Sequence, residues 1–390
     1  MNSKARGVPS SNEVPKMIQY IYADNAATTK LDEAALQAML PFLREEYGNA
    51  SQPYSFSRAP KKALADARAT IAECIGALPE EIYFTSGGTE SDNWAIKGSA
   101  MTDPGYRATI TSAFEHHAVL RSCSAIERLG YPVAYLQPTS DGYILPERLE
   151  SIITDNTRLV SIMFANNELG SIQPIKELCQ TAHSHGALFH TDAVQAIGHV
   201  EIDVKDLGID MLSASAHKFN GPKGVGFLYL RKGAALVPHS DGGKQERGLR
   251  AGTVNVPAVV GMAVALKKNC ESLTQNQFHL KTLENQLLSQ LNNAGLEYSQ
   301  NGGSNTLPGL LSLSFPGKDG ETILHRMDLM GISISTGSAC DGKKNEISHV
   351  LRSVNLKKDL AKGTIRISLG KNNNQIEIDM IAEAIEKILT

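Results

Sequence analysis

The sequence lacks the features that define several classes of protein. No hydrophobic run approaches the roughly 20 residues of a membrane-spanning helix, and the first twenty residues contain no hydrophobic core of a signal peptide. The formal net charge of -3 argues against a surface dedicated to nucleic acid or to anionic membranes. The five cysteines are scattered and form no Cys-x-x-Cys pair. This cysteine usage indicates reduced thiols in the cytoplasm rather than a disulfide framework.

What is present suits a globular enzyme, since the 390 residues allow one large domain and a smaller companion. Between residues 60 and 230, helical patterns alternate with short apolar runs. This alternation predicts a mainly parallel sheet covered by helices on both faces. Residues 262–300 predict one long helix, and the segments that follow suit a smaller α+β domain. We therefore predict a large domain at residues 28–262 and a small domain formed by residues 1–27 and 263–390.

Two polar residues follow predicted strands, at the positions where open α/β sheets bind ligands. Asp192 follows the apolar run 187–189, and Lys218 follows the run 209–212. A buried Asp can pair with a pyridinium nitrogen, and a desolvated Lys can form a Schiff base. Pyridoxal 5'-phosphate (PLP) requires this pair of its protein. Taken alone, Asp192 could equally be a helix N-cap and Lys218 a solvated charge.

A glycine-rich segment at residues 85–90 (TSGGTE) follows a predicted strand and opens a helix. Glycines permit close backbone approach, and the N–H groups of a helix N-terminus point at an anion. This segment therefore predicts a phosphate site, with a plain glycine-rich turn capped by Thr89 as the alternative. His116 lies between a predicted strand and a helix. It could stack on a planar ring and move protons, or it could cap the helix.

Four more positions carry candidate chemistry. Asn167 could donate its amide hydrogens to a ring oxygen or a carboxylate, or it could form a turn. Arg366 lies within a predicted strand, where a charge needs a partner such as a substrate carboxylate or a structural ion pair. The glycine-rich stretch 242–253 is either a surface loop or an anion-binding loop that reaches a neighbouring active site. Cys340 lies among small residues, which leave a thiol exposed and mobile.

A metal site is the competing interpretation for one cluster of residues, Cys179, His183, His185 and His190. His183 and His185 cannot share one face of a helix, and no second pair of ligands lies nearby in the sequence. We therefore predict no metal site.

Taken together, these segments resemble the cysteine desulfurases of the NifS/IscS type, which have the class V aminotransferase fold. The resemblance runs in order from residues 23–29 (ADNAATT) to residues 366–370 (RISLG), nearly the whole chain. Its most specific parts are residues 215–224, which contain Ser-x-His-Lys and Gly-Pro-Lys-Gly, and residues 337–340, Gly-Ser-Ala-Cys. It implies an α/β fold of the PLP-dependent transferase (aspartate aminotransferase-like) type, with a large mainly parallel α/β domain and a smaller α+β domain.

The resemblance also implies a reaction. Lys218 would bind PLP covalently and act as general base, Asp192 would pair with the pyridinium nitrogen, and His116 would stack on the ring and shuttle protons. Cys340 would take the sulfur of L-cysteine as a persulfide, with release of L-alanine. Charged residues follow this cysteine, where relatives often have Ser, Thr or Ala, and the difference bears on which acceptor can approach.

Binding roles follow from the same resemblance. PLP would be held by Gly88, Thr89, His116, Asn167, Asp192, Gln195, Ser215, His217 and Lys218. Asn167 and Arg366 would bind the substrate carboxylate. Thr253 would complete the phosphate site of a partner subunit, which implies a homodimer.

There are two alternatives to a desulfurase. The first is a selenocysteine lyase or another class V PLP enzyme, and the second is a non-enzymatic sulfur-relay scaffold. A mobile thiol at Cys340 argues against a plain aminotransferase, and the presence of Lys218, Asp192 and His116 argues against a scaffold. The sulfur acceptor stays open among iron–sulfur scaffolds, tRNA thiolation enzymes and DNA phosphorothioation systems.

Overall fold

The computed structural model describes residues 20–102, 105, 107–337 and 347–390. In chain order the strands are β1 (Ile21–Tyr22), β2 (Ile82–Thr85), β3 (Ala108–Ser112), β4 (Val133–Leu136), β5 (Thr157–Ser161), β6 (Leu188–Asp192), β7 (Met211–Ser215), β8 (Gly226–Leu230), β9 (Ser299–Asn301), β10 (Leu310–Ser314), β11 (Ile332–Ser333) and β12 (Thr364–Ser368). The α-helices are α1 (Glu33–Arg44), α2 (Arg58–Cys74), α3 (Gly88–Met101), α4 (His117–Glu127), α5 (Pro146–Glu150), α6 (Ile175–Ser184), α7 (Val204–Leu207), α8 (Val256–Glu271), α9 (Leu273–Asn293), α10 (Gly320–Leu329), α11 (His349–Ser353), α12 (Lys358–Lys362) and α13 (Gln375–Leu389).

The large sheet has the strand order β2-β8-β7-β6-β5-β3-β4. The strands from β7 to β4 pair in parallel, whereas β8 is antiparallel to both of its neighbours, β7 and β2. Parallel neighbours need a crossover of a dozen or more residues, usually a helix. The segment 216–225 between β7 and β8 is too short for a crossover, so the chain returns antiparallel. Lys218 lies in this short return.

The central strands are covered on both faces. Every residue of β7 and β8 is buried. Because side chains alternate along a strand, Met211 packs with Trp94 of α3, while Leu212, its neighbour, packs into the core on the other face. The near-continuous apolar sequence of these strands is what burial on both faces requires.

A second hydrophobic core lies around a three-stranded antiparallel sheet, ordered β12-β10-β9. The helices α9, α10 and α13 contribute to this core, as does β1, which pairs in parallel with β11. The second core therefore contains β1, near the N-terminal end of the chain, as well as segments that follow α8. The predicted domain ranges stay a prediction.

The single long helix predicted for residues 262–300 is wrong, because α8 and α9 meet at Ser272. Ser272 leaves helical geometry, with φ -103° and ψ 13°. The break lets each helix follow its own core: Leu266 of α8 packs in the core of the large sheet, and Leu287 of α9 packs in the second core.

Among the described residues, no helix combines the length and the hydrophobicity needed to cross a membrane.

Candidate active site

A cavity of about 450 Å³ lies at the carboxyl ends of β6 and β7. Ten predicted site residues line it: Gly88, Thr89, His116, Asn167, Asp192, Gln195, Ser215, His217, Lys218 and Arg366. The topology explains the convergence, because parallel neighbours present their carboxyl ends at one edge of the sheet. The second core contributes Arg366 from β12 and Ser335 from beyond β11.

Two predicted residues do not join this group. Thr253 is exposed and lines a separate cavity of about 420 Å³, together with Tyr47, Arg68 and Gln245. Cys340 lies outside the described residues.

Asp192 is the last residue of β6 and is buried at the floor of the cavity. Its Oδ1 accepts a hydrogen bond from the backbone N–H of Val194 at 2.9 Å. Burial raises the pKa of Asp192 above its ordinary value, and the neighbouring side chains of His116 and Lys218 oppose this rise. A cation in the cavity would favour the ionised form further.

Lys218 ends a short 3-10 turn, Ala216–Lys218, in the return between β7 and β8. Its Nζ donates hydrogen bonds to the carbonyl oxygens of Ala26 and, at 2.9 Å, Ala27. The side-chain amide of Gln195 also donates to the Ala26 carbonyl, at 2.9 Å. The segment after β1 therefore orients both side chains within the cavity.

His116 is the N-cap of α4, and its Nδ1 accepts a hydrogen bond from the backbone N–H of Ala118 at 3.1 Å. Burial lowers the pKa of His116; Asp192 opposes this effect, and Lys218 adds to it. The imidazole is therefore neutral at pH 7, with its proton on Nε2 because Nδ1 is the acceptor. The helix-capping interpretation of His116 is confirmed. The same side chain lines the cavity, and its role as a stacking residue and proton shuttle stays a prediction.

The N-terminus of α3 forms a further part of the cavity lining, through Gly88 and Thr89. A Cβ atom on Gly88 would lie 2.5 Å from Cγ2 of Val194, so only glycine fits here without a shift. His217 lines the same cavity, and its Nδ1 lies 3.1 Å from Oγ1 of Thr28. Burial, together with the charge of Lys218, lowers the pKa of His217 to about 4, so the ring is neutral at pH 7. Backbone N–H groups and neutral donors of this kind suit a phosphate.

Arg366 is buried in the middle of β12 with a guanidinium that is already oriented. Its Nη2 donates to Oδ1 of Asp24 at 2.6 Å, and its Nη1 donates to the carbonyl oxygen of Asn167 at 2.9 Å. The structural ion pair that the sequence left open is therefore present. Arg366 also lines the cavity, so the ion pair leaves its predicted role in substrate binding open.

Sequence reasoning missed Asp92, a fully buried carboxyl on α3 that lines the cavity. Burial raises the pKa of Asp92 well above its ordinary value, and the charge of Asp192 adds to this rise. Carboxylate and imidazole atoms of Asp92, Asp192 and His116 lie within 4.8 Å of one another, a spacing that a metal ion could also use. Because all three line one cavity with Lys218, we assign them to the surroundings of an organic cofactor.

The alternative cluster at residues 179–190 does not converge. His183 bonds to the carboxylate of Asp210 at 2.8 Å, and His185 lies on the surface beside Glu150 and Asp155. His190 is buried between the hydroxyls of two serines, Ser161 and Ser213. These histidines serve local structure.

Comparison with known proteins identifies the family, since residues 21–381 match the family model described as aminotransferase class-V. A cysteine desulfurase IscS of Clostridium botulinum is 44% identical over 377 residues, which cover 96% of this chain and 95% of that protein. A solved structure titled NifS-like protein has a TM-score of 0.90 and 39% identity, covering 95% of this chain and 99% of that one. Another, titled SspA in complex with cysteine, has a TM-score of 0.81 and 37% identity, covering 91% and 100%. The chain belongs to the class-V aminotransferase family.

This membership confirms the predicted family resemblance and the PLP-dependent transferase fold. It also confirms PLP as the cofactor. The residues present fit PLP on three structural grounds. A cradle at Gly88 excludes any Cβ, a buried carboxyl at Asp192 needs a cation, and Nζ of Lys218 lies in the same cavity. The individual residue roles stay predictions.

Proposed function

We propose that this chain is a cysteine desulfurase, which converts L-cysteine to L-alanine and transfers the sulfur to Cys340 as a persulfide. One observation carries the proposal. A single cavity joins Lys218 and buried Asp192, which suit PLP, to buried Arg366, which suits the carboxylate of an amino acid. Cys340, which lies outside the described residues, supplies the thiol that a plain aminotransferase does not need.

Each end of the cavity holds a different part of the cofactor and substrate. Gly88, Thr89, Ser215 and His217 would hold the phosphate of PLP, and Asp192 would hold the pyridine nitrogen. When bound, PLP withdraws electrons from the α-carbon of an amino acid and thereby acidifies the α-proton. Arg366 and Asn167 would hold the substrate carboxylate.

The chain's own groups then move the protons. Asp192 would stay ionised if it faced a protonated pyridine nitrogen, because a positive partner offsets the cost of burying its charge. Nζ of Lys218 removes the α-proton as general base. His116 keeps a neutral imidazole in the cavity, and its Nε2–H is the group that can donate a proton.

The sulfur transfer balances without an external oxidant or reductant. The Cβ–S bond of cysteine breaks, and an S–S bond forms between that sulfur and the sulfur of Cys340. One of the two thiol hydrogens stays on the persulfide, and the other completes the methyl group of alanine.

The proposal extends to partners. Two chains would form a homodimer in which Thr253 of each completes the phosphate site of the other. Its exposure, and the fact that it lines a cavity other than that of Lys218 in its own subunit, support this role. The persulfide would pass in the cytoplasm to an acceptor protein, either an iron–sulfur scaffold or an enzyme that thiolates nucleic acid.

Steady-state assays of alanine release test the proposal. The wild-type protein should release alanine from L-cysteine, and Cys340→Ser should keep PLP attached to Lys218 but lose turnover. Borohydride reduction followed by peptide mass spectrometry reports that attachment. Full turnover by Cys340→Ser would overturn the role of Cys340, and alanine release from L-selenocysteine alone would establish the lyase instead.

A further inference from the structure

The loop formed by residues 240–253 (the 240–253 loop) ends at Thr253 and is closed near its base. The backbone N–H of His239 donates to the carbonyl of Leu249 at 2.7 Å, and Ser240 forms a parallel bridge with Arg250. Inside the loop, Glu246 has a φ of 43° and the residue after it a φ of 60°. Non-glycine residues keep such left-handed conformations only where their surroundings hold them. The loop is therefore fixed by contacts with the rest of the subunit.

The first of these contacts is made by Glu246, whose side chain is buried. Arg68 of α2 donates two hydrogen bonds to its carboxylate, at 2.7 and 2.8 Å. The backbone N–H of Phe84, in β2, donates a third at 2.9 Å. These bonds fix the middle of the loop to the strand that leads into the phosphate end of the cavity.

The second contact is made by Arg250, near the C-terminal end of the loop. Its Nε donates to Oε1 of Glu90 at 2.8 Å, and its Nη2 donates to Oε2 at 3.3 Å. Glu90 lies in the first turn of α3, and its Oε2 also accepts the backbone N–H of Ser86 at 3.0 Å. One carboxylate therefore joins the glycine-rich turn of this subunit's phosphate site to the loop that carries Thr253.

We propose that the Glu90–Arg250 pair positions Thr253 for the phosphate of the cofactor in the partner subunit. Each subunit would then build its own phosphate turn and the phosphate contact of its partner on one rigid piece of structure. The proposal rests on the proposed homodimer and on the role of Thr253 across it. Arg250 is a positioning residue, because it acts through Thr253.

Arg250→Met removes both hydrogen bonds and tests the pair directly. PLP affinity should fall about tenfold or more, the range expected when a charged hydrogen-bonding partner is deleted. Arg250→Lys keeps the charge without the two-pronged geometry and should lie between Arg250→Met and the wild type. Arg128→Met is the matched control, since exposed Arg128 donates to Oγ of Ser124. Wild-type affinity in both Arg250 variants would contradict the proposal.

The readout is PLP titration of the cofactor-free protein, followed by borohydride reduction and mass spectrometry of the Lys218 peptide. This measures occupancy at sites that contain Lys218 and does not depend on turnover. Mixed dimers, made by co-expressing two differently tagged chains, then assign each effect to one subunit. One chain carries Lys218→Ala, so only the site of the other chain is detected.

Two mixed dimers separate the possible causes. In the first dimer, one chain carries Thr253→Ala and the other carries Lys218→Ala. The detected site, in the Thr253→Ala chain, receives an intact Thr253 from its partner and should regain wild-type affinity. In the second dimer, one chain carries Arg250→Met and the other carries Lys218→Ala. The detected site, in the Arg250→Met chain, receives an intact 240–253 loop from its partner and should also regain wild-type affinity. Recovery in the first dimer only would contradict the positioning role, because Arg250 would then act within its own subunit by neutralising Glu90. Failure of the first dimer to recover would overturn the proposed role of Thr253 and the inference with it.

Discussion

Oδ1 of Asp24 lies 2.6 Å from Nη2 of Arg366, so the guanidinium has an ionic partner before any substrate binds. Asp24 follows β1 and forms a bridge with Ser368, which places the two residues of the pair on neighbouring backbone segments. The carbonyl oxygen of Asn167 holds the other prong of the guanidinium. Arg366 is therefore oriented in advance, which lowers the cost of binding a carboxylate.

Arg366→Lys should raise the KM for L-cysteine by about 10- to 100-fold, because a lysine cannot reproduce the planar two-pronged geometry. PLP attachment at Lys218 should not change, since the proposed role of Arg366 is to bind the substrate and not the cofactor. Steady-state kinetics and borohydride trapping measure the two effects separately. An unchanged KM with a reduced kcat would contradict the substrate role of Arg366.

Gly88→Ala should weaken PLP binding about tenfold or more by displacing the turn that we propose receives the phosphate. The new Cβ would lie 2.5 Å from Cγ2 of Val194 and 3.7 Å from Cβ of Ser215, so Val194 is the main obstacle. Adding Val194→Ala should therefore restore part of the affinity. PLP titration of the two variants tests this steric cause, and a double variant as weak as Gly88→Ala would exclude it.

Glu115, a buried carboxyl between β3 and α4, should make stability depend on pH. Burial raises the pKa of Glu115 to about 8. Between its ordinary value and about 8 the folded chain holds a proton that the unfolded chain has lost. The free energy of unfolding is therefore highest below the ordinary pKa of this carboxyl. It falls by about 1.4 kcal/mol per pH unit between that value and about 8, and it becomes level above 8.

Glu115→Gln keeps the shape and removes the titration. The variant should lose less thermal stability than the wild type between pH 6 and pH 8. Glu147→Gln, at an exposed site in the first turn of α5, is the control and should follow the wild type. Equal pH dependence in Glu115→Gln and the wild type would show that Glu115 is already ionised at pH 6 in the folded chain, which would contradict the prediction.

Much of the site could be predicted from the sequence because its residues follow apolar runs. Asp192 is the last residue of β6, and Lys218 follows β7. Such positions converge in any parallel sheet, so strand order was not needed to expect them together. The glycine-rich turn before α3 carried its own local signal.

Other features depend on long-range contacts that leave no local pattern. Asp24 and Arg366 are 342 positions apart, and Asp92 resembles any polar residue of a helix until burial and Asp192 surround it. The break at Ser272 also escaped prediction, because the change from one core to the other is a tertiary effect. Thr253 lies apart from the cavity of its own subunit, and its role stays a prediction.

The most direct test of desulfuration is a single turnover with L-cysteine labelled with ³⁴S and ¹³C, analysed by mass spectrometry. We predict one ¹³C-alanine for each ³⁴S atom bound to the Cys340 peptide, with neither product in Lys218→Ala. Labelled alanine without ³⁴S on Cys340, or ³⁴S on another cysteine, would contradict the assignment.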